Sequence, residues 1–171
     1  HEKVVELVVD FADGRVPVIA GTGSNATSEA ISLTRHAAES EADASLQVAP
    51  YYNKPTQEGF YQHFKKIADE VNLPMIIYNI PGRCGANIET ATLMRLAQHK
   101  NIVAVKEASG SLPQMMDVIS QKPSGFDVLS GDDNLTLPLI AAGGVGVISV
   151  ASNLIPKEIS EFVKAALDGD Y

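Results

Sequence analysis

Lys106 has the setting least expected of a surface amine. It closes the apolar run Ile102-Val103-Ala104-Val105 and precedes Glu107-Ala108-Ser109-Gly110. A lysine ending such a strand is partly desolvated, which lowers its pKa and frees the amine to form a Schiff base with a carbonyl. A structural lysine paired with a carboxylate from another element is an equal reading. Glu107 is the less favoured partner, because neighbouring residues on a strand face opposite ways. Three other apolar runs end in groups suited to carbonyl chemistry. Pro50-Tyr51-Tyr52-Asn53-Lys54-Pro55 brings two phenols, for proton relay or for packing a subunit interface. Tyr78-Asn79-Ile80-Pro81-Gly82-Arg83 brings a third phenol and a guanidinium, the latter a carboxylate clamp or a solvated loop residue. In Ser130-Gly131-Asp132-Asp133, the glycine permits close backbone approach to a ligand, and either aspartate suits the cap of a following helix.

Other chemistries lack their residues. His1, His36, His63 and His99 fall on or beside separate helical patterns without ligand spacing, so no familiar metal site is expected. The turn Gly21-Thr22-Gly23-Ser24-Asn25-Ala26 lacks the third glycine and the acidic residue of a dinucleotide fingerprint, and reads as a tight turn into a helix. Cys84 has no recognisable partner and reads as inert; as the single cysteine it excludes an intrachain disulfide framework and fits a reducing, cytoplasmic compartment. With 13 Lys and Arg against 21 Asp and Glu, the formal net charge is -8, a poor match to nucleic acid or an anionic membrane surface. The uncharged stretch from Asn134 to Pro156 is broken by Pro138, Gly143-Gly144 and Gly146, so it reads as helix, turn and buried strand rather than a membrane span.

Short apolar runs alternate with amphipathic stretches to position these groups. Strands are expected at 16–20, 45–49, 75–78, 102–106, 126–130 and 146–150. Helices are expected at 2–12, 27–42, 57–71, 88–98, 113–119, 135–142 and 158–166. Strict alternation means a parallel sheet, either doubly wound or closed as a barrel. Polar groups at nearly every strand end favour the α/β (β/α)₈ TIM barrel, whose catalytic loops ring that face.

The six motifs starting at Gly21, Pro50, Tyr78, Val105, Ser130 and Gly143-Gly144-Val145-Gly146-Val147-Ile148 occur in one order. Together they resemble the dihydrodipicolinate synthase family of pyruvate-dependent class I aldolases, over nearly the whole chain. The resemblance implies that Lys106 forms an imine with pyruvate, and that its enamine attacks aspartate semialdehyde on the way to diaminopimelate and lysine. It implies Tyr78 as proton relay, and Tyr52 in the same relay from a neighbouring subunit of a homodimer or homotetramer. Arg83 would hold the semialdehyde carboxylate, while Gly131 and Ile148 line the pyruvate pocket through backbone groups. No metal or organic cofactor is implied. His1, Asn25, Glu29 and Tyr51 match positions that contact inhibitory L-lysine in relatives. The family pattern also has two strands before His1, the second followed by a Gly-Thr-Thr-Gly-Glu motif, and further helices beyond Tyr171. Residues 1–171 are therefore expected to be a partial TIM-barrel catalytic domain with six of eight strands, inactive alone and prone to associate. A sister aldolase acting on a sugar acid, such as a neuraminate lyase, and a non-catalytic barrel fragment are the alternatives; Arg83 argues against the neuraminate lyases.

Overall fold

The computed structural model describes residues 1–170. Helix α1 (Glu2–Ala12) leads into β1 (Ile19–Gly21), and α2 (Thr27–Glu39), β2 (Ala44–Val48), α3 (Gln57–Glu70) and β3 (Met75–Asn79) follow. A one-turn helix α4 (Pro81–Cys84) and α5 (Thr90–Leu96) precede β4 (Ile102–Glu107), α6 (Leu112–Gln121) and β5 (Asp127–Ser130). The chain ends with α7 (Thr136–Ala141), β6 (Gly146–Val147) and α8 (Pro156–Asp168), with single 3-10 turns at Asp133–Leu135 and Ala151–Asn153. All six strands are parallel and lie in sequence order, β1 to β6. That order, with a helix returning the chain between successive strands, is the (β/α) barrel winding rather than a doubly wound sheet, whose strand order reverses.

At β1, α5 and β6, where the elements are shorter than expected, a polar side chain has captured the backbone. Strand β1 starts at Ile19 instead of Val16: Pro17 has no N–H, and the Val18 N–H donates to Asp43 Oδ2 at 2.6 Å. Helix α5 starts at Thr90 instead of Ile88, because the N–H groups of Ile88 and Glu89 go to the side-chain oxygens of Asn79 and Gln57. Strand β6 stops at Val147 instead of Val150, since Asp133 Oδ2 accepts the N–H groups of Val150 and Ala151 and turns the chain into a 3-10 turn. Helix α2 stops at Glu39, three residues early, where Glu41 takes a left-handed φ of 63°.

The core lies between the sheet and the helices. Phe60, Phe64, Ile67 and Ala68 form the inner stripe of α3 and pack with Met75 and Ile77 of β3, Val105 of β4 and Val128 of β5. Burial of each large side chain stabilises the fold by about 1.5–3 kcal/mol. The turn after β1 packs against the end of β2 so closely that a Cβ on Gly23 would overlap the Val48 backbone nitrogen. At the ends of the sheet, large apolar side chains meet solvent: Phe11 and Ile19 on one side, Val150 and Leu154 on the other. No helix among the described residues is long and apolar enough to cross a membrane.

Candidate active site

Strands β3 and β4 bring the first two candidates together. Tyr78 pairs with Lys106 in the parallel register, and Lys106 Nζ lies 3.9 Å from the centre of the Tyr78 ring. Lys106 is buried. Burial depresses its pKa, and the carboxylates of Asp132 and Asp133 push the other way. The outcome is an amine held below its ordinary range, which is what nucleophilic attack on a carbonyl needs. Burial, reinforced by the Asp132 charge, raises the pKa of Tyr78, while Arg83 opposes the rise. The phenol therefore keeps its proton and is available to donate it.

Glu107 points to the helix-facing side of β4, as alternation along the strand requires. Its carboxylate accepts from the Ser109 N–H at 2.8 Å, from Asn79 Nδ2 at 3.2 Å to each oxygen, and from Gln114 Nε2 at 3.4 Å. Asn79, Asn87 and Gln114 form no part of the sequence-based site. Their one signal is polarity at the end of an otherwise apolar strand and beside it.

Gly131 and Ile148 flank the same strand ends. The Gly131 N–H donates to the Glu107 carbonyl at 2.8 Å, and the Ile148 N–H to the Ser130 carbonyl at 2.9 Å. A Cβ on Gly131 would stand 2.7 Å from Ala108 Cβ and 3.0 Å from Lys106 Cε, so only glycine leaves the lysine its present path. Of the two aspartates read as helix caps, Asp132 takes the N-cap position without a side-chain hydrogen bond. Asp133 caps a different segment, holding Val150 and Ala151 through one oxygen, while its buried Oδ1 has no hydrogen-bond partner. The neighbouring Ser149 hydroxyl, aided by these N–H groups and by Lys106, keeps the Asp133 pKa low against desolvation.

The remaining candidates lie further out. Arg83 is exposed on α4, a helical turn in place of the expected loop. Tyr52 is 90% exposed and sits at a left-handed φ of 73°, a conformation costly for an aromatic residue. Asn25 Nδ2 donates to the Tyr51 carbonyl at 3.2 Å, Asn53 Nδ2 returns a bond to the Asn25 carbonyl at 3.0 Å, and Ser24 donates to Glu29. His1 lies apart from this cluster's hydrogen bonds and lines a 290 Å³ hollow with Val4, Val5, Val8 and β1. Cys84 is buried, its thiol donates to the Ala49 carbonyl at 3.0 Å, and burial pushes its pKa up, the opposite of a reactive thiol. Among the described residues, no three His, Cys, Asp or Glu side chains converge as a metal-ligand group.

The model of the dihydrodipicolinate synthetase family matches residues 1–171. A 4-hydroxy-tetrahydrodipicolinate synthase of Koribacter versatilis is 61% identical over 170 residues, 99% of this chain and 57% of its own length. The crystal structure of dihydrodipicolinate synthase from Aquifex aeolicus superposes with a TM-score of 0.98 at 53% identity, over 99% of this chain and 58% of that one. Two further structures are each 46% identical. One is the chloride-inhibited dihydrodipicolinate synthase of Acinetobacter baumannii complexed with pyruvate, with a TM-score of 0.97 over 99% of this chain and 58% of that one. The other is the dihydrodipicolinate synthase of Cyanidioschyzon merolae with lysine bound, with a TM-score of 0.94 over 98% and 57%. The chain thus spans well under two thirds of the length of these relatives.

Proposed function

The chain belongs to the dihydrodipicolinate synthetase family, and on that premise we propose that its strand ends carry the imine chemistry of a 4-hydroxy-tetrahydrodipicolinate synthase. The observation that carries the proposal is the buried Lys106 amine against the Tyr78 ring. Unprotonated Nζ attacks C2 of pyruvate to give a carbinolamine. Tyr78 donates the proton on which the hydroxyl leaves as water, and an imine forms. The Tyr78 phenolate takes a C3 proton to give the enamine, whose C3 bonds to the aldehyde carbon of L-aspartate 4-semialdehyde as Tyr78 returns that proton to the aldehyde oxygen. The condensed product's own amine then attacks the imine carbon and displaces Lys106, closing the ring and returning the enzyme amine. The imine is itself the electron sink, so the carbon–carbon bond forms without an organic cofactor.

The remaining residues act around that step. Gly131 and Ile148 present backbone to pyruvate, and Arg83 clamps the semialdehyde carboxylate. Tyr52 projects away from its own chain on a left-handed turn, which suits a relay residue contributed to a neighbouring copy in a homo-oligomer. Lysine binds as an effector at Asn25, Glu29 and Tyr51, with His1 at the margin. The lysine-bound relative and the hydrogen bond joining Asn25 to Tyr51 support that assignment.

Borohydride reduction in the presence of pyruvate, applied to the protein's full chain, tests the central step. A pyruvyl adduct on Lys106 is expected, and its absence refutes the imine site. Heterocycle formation from aspartate semialdehyde then distinguishes the synthase from a sister aldolase acting on a sugar acid. Mixing Tyr52→Phe and Lys106→Ala subunits should restore activity that neither has alone; no recovery removes Tyr52 from the cross-subunit role. Inhibition by millimolar lysine tests the effector site, and Glu29→Gln should weaken it.

A further inference from the structure

We infer that Glu107 is a positioning residue for the Lys106–Tyr78 pair, an ionised carboxylate that clamps the ends of β3 and β4 together from the opposite face of the sheet. The inference rests on the imine chemistry proposed for Lys106 and adds a group that chemistry does not touch.

Glu107 is fully buried, and burial pushes its pKa up. The groups that hydrogen-bond it in the structure nevertheless donate: the Ser109 N–H and the side-chain amides of Asn79 and Gln114. A protonated acid would set its own O–H against these N–H and amide donors, so the arrangement suits the ionised form. The amides are held in turn. Asn79 Oδ1 accepts the Ile88 N–H at 3.1 Å, and Asn79 Nδ2 also reaches Asn87 Oδ1 at 2.9 Å. Asn87 Nδ2 donates to Gln114 Oε1 at 2.8 Å, and Gln114 Nε2 donates to the Ile88 carbonyl at 3.1 Å. One carboxylate thereby joins β3, β4, α6 and the segment before α5.

The place of this clamp gives it a consequence for the site. Asn79 stands opposite Glu107 in the register, one residue beyond the Tyr78–Lys106 pair. The β3–β4 register shifts between Met75 and Ile76, at the other end of the ladder, so the clamp holds the end where the amine and phenol must meet. Glu107 faces away from Lys106 on the opposite side of the sheet, whereas the charges that shift the amine are those of Asp132 and Asp133, with Tyr78 supplying the adjacent ring. Its influence is therefore geometric, and a small displacement of a reacting group costs on the order of 100-fold in rate.

The test compares the full chain with its Glu107→Gln variant, which keeps size and removes charge while turning an NH₂ toward donors. Single-turnover imine formation at saturating pyruvate, trapped by borohydride, is followed across pH per folded molecule. The expected result is a rate loss on the order of 10- to 100-fold, with pyruvate half-saturation and the pH midpoint nearly unmoved, and partial recovery in Glu107→Asp. If Glu107→Gln does not fold, Gln114→Leu removes one donor and should slow the same step less strongly. A lowered thermal midpoint with an unchanged rate in the folded variants overturns the inference, as does a shifted pH midpoint. Wild-type protein that traps no pyruvate overturns the functional reading and this inference together, whereas trapping indifferent to the variants overturns this inference alone.

Discussion

At Lys106 two effects act on one amine. Burial drives its pKa down, and the carboxylates of Asp132 and Asp133 draw it back up. Replacing Asp133 by Asn keeps an oxygen for the N–H groups of Val150 and Ala151 but removes a charge. The Lys106 pKa should then fall further, and the ascending limb of imine formation should move to lower pH. Trapping rates across the pH range check this; a limb that stays put or moves upward contradicts the assigned electrostatics. Tyr78→Phe keeps the ring beside Nζ and removes the proton. Its kcat should drop by about 100- to 10,000-fold while an adduct still forms slowly. Near-normal turnover in that variant would transfer the proton relay to another group.

Among the elements, α2 and α3 contain a pH-sensitive contact. His63 of α3 is buried, its Nδ1 lies 2.9 Å from Thr27 Oγ1 of α2, and its Nε2 has no partner. Desolvation lowers its pKa from 6.5 to about 4, so the unfolded chain binds a proton that the folded chain refuses. That stability is fully present above pH 6.5 and drains away as pH falls toward 4, for about 3 kcal/mol in all. Urea unfolding between pH 6.5 and 5, above the range of most carboxylates, should show wild type losing stability with a slope that His63→Gln lacks. Equal slopes would place the histidine elsewhere than in this contact. The same scale shows how much of the fold was legible beforehand. All six strands and the seven longer helices follow from apolar periodicity. Their ends do not, because Asp43, Gln57, Asn79 and Asp133 take backbone N–H groups across gaps of 9 to 32 residues.

For the whole molecule, the edges of the sheet decide behaviour. Parallel strands normally have both neighbours paired or covered. Here Phe11 is 80% exposed near one edge and Leu154 87% exposed near the other. A polypeptide of these 171 residues alone should associate in a concentration-dependent way, read by sedimentation velocity. A stable monomer at all concentrations would overturn that expectation.

Residue order by itself determined the alternation of strands and helices, the parallel sheet and the strand ends that bear Lys106 and Tyr78, because burial periodicity and the residues ending each run are local properties. It left two equal readings of Lys106, a nucleophile or a paired structural lysine. Tertiary structure determined that the amine has a phenol ring beside it and, among the described residues, no direct carboxylate hydrogen bond, that Glu107 faces the helices, and that Asp133 ties down the segment after β6. Those outcomes depend on strand register and on side chains meeting across the sheet, where a shift of one residue would have turned Lys106 to the opposite face.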